Sequence, residues 1–301
     1  MSTRLLLLCP GQGGQHAGMF DLARTDVQAA AWLELAGLPA FDAAAMFDNC
    51  IAQPTIVGAT LALWQALRPR VAKPALVAGY SVGELSAYGV AGALDPLDCV
   101  QLAANRAQLM DAQAGATPPQ ALVAIGGVLN ERVRALAGDH GFAIAIVTGS
   151  DGCIAGGLAV QLPQLAQAVA AAGGSLQLLP VGIASHTALM AGAVAPFADA
   201  LLAAPWRAQV CPVLSGTGAA LVADRARAVA ALSRQLSEPI LWSDCMDACF
   251  EAGITVALEL GPGAALARML QARHPHIACR SVADFRSLDG IVAWLERQQA
   301  G

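Results

Sequence analysis

Residues 79–84, which read GYSVGE, carry the strongest chemical signal in the sequence. They match G-x-S-x-G, a pattern in which a serine stands on a sharp turn between a strand and a helix. Glycines let the chain turn there without a Cβ clash, so the hydroxyl of Ser81 would project alone above a sheet. The N-terminal amides of the following helix would favour negative charge that develops at the same point. The pattern therefore predicts that Ser81 is a nucleophile.

A serine nucleophile needs a base, and the chain contains five histidines. Order and setting favour His186 in the segment PVGIASHT, where a predicted strand ends and a predicted helix begins. A loop at this position can reach over the edge of a sheet. We expect His140, in a polar turn, and His274 and His276, near a helix end, to lie at the surface. Order and setting therefore favour His186 as the base, and the family resemblance described below decides the choice.

Short apolar runs alternate with longer helical patterns, which is typical of an α/β fold with a largely parallel sheet. The core strands that we predict are residues 5–9, 75–78, 210–214 and 256–260, and the core helices are residues 55–67, 83–90, 96–110 and 187–203. Asp95 is placed to cap the helix that begins at Pro96. With the serine turn, this order predicts an α/β-hydrolase-like core.

The middle of the chain has a different order of elements. Strands are predicted at residues 121–125, 143–147, 153–155 and 175–179, and helices at residues 130–137 and 162–172. The order βαββαβ is that of a ferredoxin-like subdomain. We therefore predict a large α/β domain formed by residues 1–119 and 183–301, with residues 120–182 inserted as a small subdomain.

Composition excludes several classes of protein. Hydrophobic residues make up 56% of the chain, but polar residues, glycine or proline interrupt every apolar stretch before the roughly 18 residues that a membrane span needs. A net charge of −5 with only 17 basic residues argues against a nucleic-acid surface. The eight cysteines form no CxxC pair, so we expect reduced cysteines, no metal site and no bound redox cofactor. The expected location is the cytoplasm.

Along nearly its whole length the chain resembles the malonyl-CoA:acyl-carrier-protein transacylase family. Seven matching segments occur in the order of that family: residues 10–15, 53–54, 79–84, 106 with 109–110, 185–190, 234–236 with 239, and 259–263. The resemblance implies that malonyl-CoA is a substrate, that Ser81 carries the malonyl group, and that the thiol of an acyl carrier protein receives it. This is a ping-pong reaction.

The resemblance also implies roles for the residues around the serine. His186 would take the serine proton and return one to the leaving thiolate. The backbone amides of Gln12 and Val82 would form an oxyanion hole. A backbone carbonyl near Gln235 would hold the other histidine nitrogen in place of the acid of a triad.

Three further side chains would bind the substrate. The guanidinium of Arg106 would hold the free carboxylate of malonate through paired hydrogen bonds. Gln53 belongs to one of the matching segments, and Tyr80 would line the pocket beside the serine. Tyr80 is also a departure from the family, which usually has a histidine there.

Other interpretations compete with this one. The chain could load the carrier subunit of a malonate decarboxylase, act as a serine hydrolase or thioesterase on the same scaffold, or be a silent binding module. For an acidic carrier protein we expect a basic surface formed by Arg268, Arg273 and Arg280.

Overall fold

Two sheets organise residues 3–40, 42 and 45–300, the part of the chain that this computed structural model describes. In chain order the strands are β1 (Leu5–Cys9), β2 (Leu76–Gly79), β3 (Gln120–Gly126), β4 (Phe142–Val147), β5 (Gly152–Leu158), β6 (Ser175–Leu178), β7 (Val213–Leu214), β8 (Leu221–Val222), β9 (Ile240–Leu241), β10 (Val256–Glu259) and β11 (Ala278–Ser281).

Helices pack on both faces of each sheet. In chain order they are α1 (Asp21–Arg24), α2 (Val27–Leu35), α3 (Asn49–Leu67), α4 (Gly83–Val90), α5 (Pro96–Gly115), α6 (Asn130–Asp139), α7 (Leu162–Ala171), α8 (Ala191–Ala203), α9 (Arg225–Arg234), α10 (Trp242–Glu251), α11 (Ala265–Arg273) and α12 (Leu288–Ala300).

The first sheet has the strand order β11-β10-β1-β2-β7-β8, and its first five strands are parallel. Strand β8 pairs antiparallel with β7 at the edge. All residues of the central strand β1 are buried, and they alternate between two hydrophobic clusters: Leu5 and Leu7 face one, Leu6 and Leu8 the other. A strand covered on both faces reads as a continuous apolar run. The predicted α/β fold with a parallel core is confirmed.

The register of this sheet brings three loops to one edge. Cys9 at the end of β1 is paired with Gly79 at the end of β2, and Leu8 is paired with Glu259 at the end of β10. Because the strands are parallel, the chain leaves all of them in the same direction. The glycine-rich loop after β1, the serine turn after β2 and residues 261–263 after β10 therefore meet.

The second sheet has the order β6-β3-β5-β4-β9. Its first four strands and the helices α6 and α7 follow the order βαββαβ along the chain, with the strand order of a ferredoxin-like unit. Strand β9 comes from outside this segment and pairs parallel with β4 through Ile146 and Val147. The order of elements is compatible with our division into residues 120–182 and the two flanking parts, which stays a prediction, while β9 joins the second sheet to a flanking part.

Helix α3 begins at Asn49, six residues before the predicted start, and contains Pro54. Proline lacks an N–H and normally ends a helix, and the predicted helix began only after it. Burial of nearly all of this helix stabilises it nevertheless. Among the described helices α3 alone is long and apolar enough to cross a membrane, and 83% of its 18-residue apolar window is buried inside the protein.

Several other predicted bounds also differ. The helix predicted at residues 187–203 begins at Ala191, after a short 3₁₀ turn. Of the strand predicted at residues 210–214, only Val213–Leu214 pairs with neighbours. The helix that begins at Pro96 runs on to Gly115, and Asp95 caps it by accepting a hydrogen bond from the N–H of Leu97 at 3.1 Å, as predicted.

Replacing Gly83 with alanine tests how closely α4 packs on the end of β1. A Cβ on Gly83 would lie 2.2 Å from the carbonyl oxygen of Cys9, so helix and strand would have to separate. We expect Gly83→Ala to lower the free energy of unfolding by about 3 kcal/mol. Denaturant unfolding measures this. Gly138→Ala is the control, because Gly138 is exposed in α6 with nothing within 4 Å and should gain about 0.5–1 kcal/mol. Equal stabilities for both variants would contradict the prediction.

Candidate active site

Ser81 stands in the turn between β2 and α4 with a backbone φ of +54°. Such a positive φ is uncommon for a residue with a side chain and is held only where the surroundings require it. Here the surroundings are tight, because a Cβ on Gly79 would lie 2.3 Å from the backbone nitrogen of Glu84. The turn is closed by the hydrogen bonds from the N–H of Gly83 to the carbonyl of Tyr80 and from the N–H of Glu84 to the carbonyl of Ser81.

His186 also has a positive φ, of +64°, and lies on the loop that leads from β6 to α8. Its Nε2 lies 2.9 Å from the hydroxyl oxygen of Ser81, and its Nδ1 lies 2.5 Å from the backbone oxygen of Gln235. A carbonyl can only accept a hydrogen bond, so Nδ1 carries the proton. The other nitrogen, Nε2, is then free to accept the proton of Ser81. The structure thus brings together the predicted nucleophile, the predicted base and the predicted carbonyl.

His186 is almost completely buried, which makes its charged form unfavourable. Burial, and to a smaller extent the nearby cation of Arg106, lower its pKa from 6.5 to about 3, although the hydrogen bond to Gln235 acts in the opposite direction. The imidazole is therefore neutral at physiological pH. A neutral imidazole can accept a proton, which is what a base must do.

The two amides predicted to form the oxyanion hole belong to two segments that meet at the serine. A Cβ on Gly11 would lie 2.6 Å from the carbonyl oxygen of Tyr80 and 3.5 Å from the Cβ of Ser81, so the glycine-rich loop runs against the serine turn. Gln12 follows in that loop, and Val82 precedes the first residue of α4. Within the described part of the chain, no hydrogen bond occupies the backbone N–H of either residue.

Arg106 is 2% exposed and projects from α5 into the same region. Its Nη1 donates to Oε1 of Gln53 at 2.7 Å, and its Nη2 donates to Oε1 of Gln235 at 3.2 Å. It makes no ion pair with a carboxylate of the described residues. Burial lowers its pKa to about 10, and the negative charge of Glu84 opposes this. A buried guanidinium bound only by neutral amides can still accept an anion.

Gln53 is fully buried on α3, and its amide is oriented by Asn49 one turn earlier. Its Nε2 donates to Oδ1 of Asn49 at 2.6 Å, so its oxygen points to Arg106. Asn49 in turn donates to the backbone of Ala107 and to Asp111. Asn49 was missed in the sequence because the helix was predicted to begin only at residue 55, so the i,i+4 spacing of the two amides was not recognised as helical.

Tyr80 is half-buried beside the serine, and its ring contacts Trp242 edge to face at a centroid distance of 5.1 Å. Burial raises the pKa of its hydroxyl well above the ordinary value, so it remains a neutral hydrogen-bond donor. Its place next to Ser81 is compatible with the predicted role in substrate binding, which stays a prediction.

The histidines expected at the surface lie away from Ser81. His274 is bound to Asp247 at 2.9 Å and stacks on Phe250, which His276 contacts edge to face. His140 directly follows α6 in the small subdomain and is half-buried. Within the described residues, no group of three or more His, Cys, Asp or Glu side chains could hold a metal ion.

Comparison with known proteins identifies the family of this chain. The acyl transferase domain matches residues 6–287, which is nearly all of the chain. The chain belongs to this family. A relative from Mycobacterium bovis named malonyl CoA-acyl carrier protein transacylase is 31% identical over 300 residues, which cover 95% of this chain and 99% of that protein. Polyketide synthase GfsB from Streptomyces halstedii is 30% identical over 89% of this chain but over only 5% of its own length.

Solved structures agree with the fold of this acyl transferase. The MCAT of Mycobacterium tuberculosis has a TM-score of 0.89 and 29% identity, and the match covers 96% of this chain and 99% of that one. FabD from Xanthomonas oryzae pv. oryzae has a TM-score of 0.90 at 26% identity, with 98% and 99% covered. A malonyl-transacylase in complex with a type II PKS acyl-carrier protein shares the fold at a TM-score of 0.87 and 24% identity, with 97% and 99% covered.

The low pKa of His186 predicts an unusual pH profile for acylation of this acyl transferase. The base stays neutral until the pH approaches about 3, so kcat/KM for acylation should change little between pH 8 and pH 5. An exposed histidine would lose its activity as the pH falls through about 6.5. Rapid quench followed by mass spectrometry at several pH values measures the rate. Enzyme held at pH 5 and assayed at pH 7 controls for unfolding, and an acid limb near 6.5 would contradict the assignment.

Proposed function

We propose that this acyl transferase moves a malonyl group from malonyl-CoA to the thiol of an acyl carrier protein. The observation that carries the proposal is the buried guanidinium of Arg106, which has no carboxylate partner among the described residues and shares Gln235 with the base of the serine. A substrate with a free carboxylate would satisfy that cation. The full-length relatives named malonyl CoA-acyl carrier protein transacylase support the same choice.

In the first half of the reaction Oγ of Ser81 attacks the thioester carbonyl of malonyl-CoA and passes its proton to Nε2 of His186. The carbon–sulfur bond then breaks, and His186 returns the proton to the sulfur, so coenzyme A leaves as a thiol. In the second half the carrier thiol gives its proton to His186 and attacks the malonyl ester of Ser81. The serine leaves and takes the proton back.

Each tetrahedral intermediate has a negatively charged oxygen. The N–H groups of Gln12 and Val82 are the donors that we assign to it, and the N-terminus of α4 adds a favourable dipole. The loop of Gln12 packs tightly on the loop after β10, because a Cβ on Gly14 would lie only 2.6 Å from the carbonyl oxygen of Pro262. Donors that are already in place need no rearrangement when the charge develops.

The histidine of this site is held by a carbonyl and not by a carboxylate. An acid next to His186 would stabilise the imidazolium, whereas the cation of Arg106 makes that charged form less stable. Once the malonyl carboxylate binds Arg106, the net positive charge near the imidazole falls. Substrate binding would therefore raise the basicity of His186 when it is needed.

The acyl carrier protein is the part of the proposal that depends most on the relatives. A cytoplasmic location stays a prediction from the sequence, and the eight free cysteines are compatible with a reducing compartment.

The basic surface predicted for the carrier is weaker than expected. Arg273 pairs with Asp247 through two short hydrogen bonds. The guanidinium of Arg280 lies 3.7 Å from the carboxylate of Asp284 and stacks on the ring of Phe285. Arg268 is exposed and is the member of the group that we assign to the carrier.

Ser81→Ala tests the nucleophile. Wild-type protein incubated briefly with malonyl-CoA should gain the mass of one malonyl group, and the variant should gain none, because no other described side chain occupies the same position. Intact-protein mass spectrometry measures the adduct. Added acyl carrier protein should remove the malonyl group from the adduct. Loss of the group to water alone would indicate a hydrolase. Preferred transfer to another carrier would indicate another pathway. Labelling of the variant would refute the role of Ser81.

Arg106→Ala tests the carboxylate site. Loss of a buried charge-assisted pair should lower the preference for malonyl-CoA over acetyl-CoA by about 30- to 1,000-fold, equivalent to about 2–4 kcal/mol. The ratio of kcat/KM values for the two thioesters measures the effect. Arg268→Ala is the control, since its exposed side chain should leave this ratio unchanged. Unchanged selectivity in Arg106→Ala would remove the residue from the site.

A further inference from the structure

Glu84, the last residue of the serine turn motif, is completely buried. It connects the turn that carries Ser81 with the segment around Gln235. Its Oε2 accepts hydrogen bonds from Nε2 of Gln235 at 2.6 Å and from the N–H of Gly216 at 3.0 Å. A buried carboxylate is unfavourable, and burial raises the pKa of Glu84 to about 7 although both hydrogen bonds and Arg106 act against the rise. The burial of the Glu84 carboxylate at such a cost in free energy needs an explanation.

Gln235 is the point where the contacts converge. Its backbone oxygen holds Nδ1 of His186, its side-chain oxygen accepts from Arg106, and its side-chain nitrogen donates to Glu84. The next carbonyl, of Leu236, accepts the backbone N–H of His186. The amide of Gln235 can present its oxygen to Arg106 only while its nitrogen faces an acceptor, and Glu84 is that acceptor.

Glu84 is also tied to the nucleophile. Its backbone N–H donates to the carbonyl of Ser81, and it lies in the first turn of α4. A displacement of its side chain would therefore change the position of Gln235 relative to the turn that carries Ser81. Acyl transfer is sensitive to such changes, because a misplacement of about 1 Å can cost about a hundredfold in rate.

We propose that Glu84 is a positioning residue, which acts through the side chain of Gln235. It keeps the base at hydrogen-bond distance from the nucleophile, and it keeps the guanidinium of Arg106 oriented for the substrate carboxylate. The second part rests on the proposed function. The hydrogen bonds use one carboxyl oxygen as acceptor, so an amide oxygen at the same place can replace it.

A double-mutant cycle between Glu84 and Gln235 tests the proposal. Methionine keeps the length of both side chains and removes their hydrogen bonds, while the backbone carbonyl of residue 235 remains. We expect Glu84→Met to lower the rate of Ser81 acylation by about 10- to 100-fold and to lower the malonyl-to-acetyl ratio. In a Gln235→Met background the same change should lower the rate by less than about threefold further. If Glu84→Met lowers the rate by the same factor in the wild-type and the Gln235→Met backgrounds, the proposal is overturned.

Two further variants separate positioning from general stability. Glu84→Gln keeps an acceptor oxygen and should retain the wild-type rate within about threefold. A loss as large as that of Glu84→Met would show that the negative charge is required, which contradicts the proposal. Glu259→Met is the matched control, since Glu259 is also buried, has a pKa raised to about 7 and accepts the N–H of Ala267, but has no contact with Gln235. It should lower stability and leave the acyl-group ratio unchanged.

A reagent other than malonyl-CoA distinguishes a failure of the proposed malonyl transfer from a failure of the proposed positioning role of Glu84. A fluorophosphonate probe reacts with a serine that a base has activated, whatever its natural acyl group. If the probe labels Ser81 and malonyl-CoA does not, the proposed function fails, and the cycle measured with the probe still tests Glu84. If Glu84→Met does not fold, Gln235→Met alone should lower both probe rate and acyl-group ratio, and wild-type values for it would overturn the proposal.

Discussion

The hydrogen bond between Nδ1 of His186 and the backbone oxygen of Gln235 is the interaction on which the rest of the site depends. It fixes the tautomer of the imidazole and so decides which nitrogen faces Ser81. A carbonyl brings no charge, so the imidazolium receives less stabilisation than a carboxylate would give it. A carboxylate in the place of this carbonyl could form a permanent ion pair with the buried guanidinium of Arg106. Because the carbonyl cannot do so, the guanidinium can lie a short distance from the histidine without being neutralised.

Charge in the site is balanced through neutral amides. Arg106 and Glu84 do not touch each other; the amide of Gln235 stands between them, with its oxygen towards the cation and its nitrogen towards the anion. Direct pairing would neutralise the guanidinium and leave no reason for a substrate carboxylate to bind. The bridging amide lowers the cost of burying both charges while the cation remains available.

The small subdomain contributes to the position of the histidine. Oε1 of Gln120 on β3 accepts the N–H of Ala184 at 2.8 Å, and a Cβ on Gly156 of β5 would lie 2.9 Å from the Cβ of Ala184. Strand β9 then ties this sheet to the segment that follows Gln235. Both the loop that carries His186 and the carbonyl that orients it are thus supported by the inserted sheet, which gives the insertion a mechanical role.

Local sequence determined much of this protein. The turn of Ser81, the alternation of strands and helices and the setting of His186 could be predicted because each depends on neighbours within about ten residues. Tertiary structure alone decided the rest. Helix α3 continues through Pro54 because packing outweighs propensity, the two-residue strand β9 exists only beside β4, and Glu84 meets Gln235 across 151 positions of the chain. Contacts between distant residues leave no periodic pattern in a single sequence, so only the folded chain shows them.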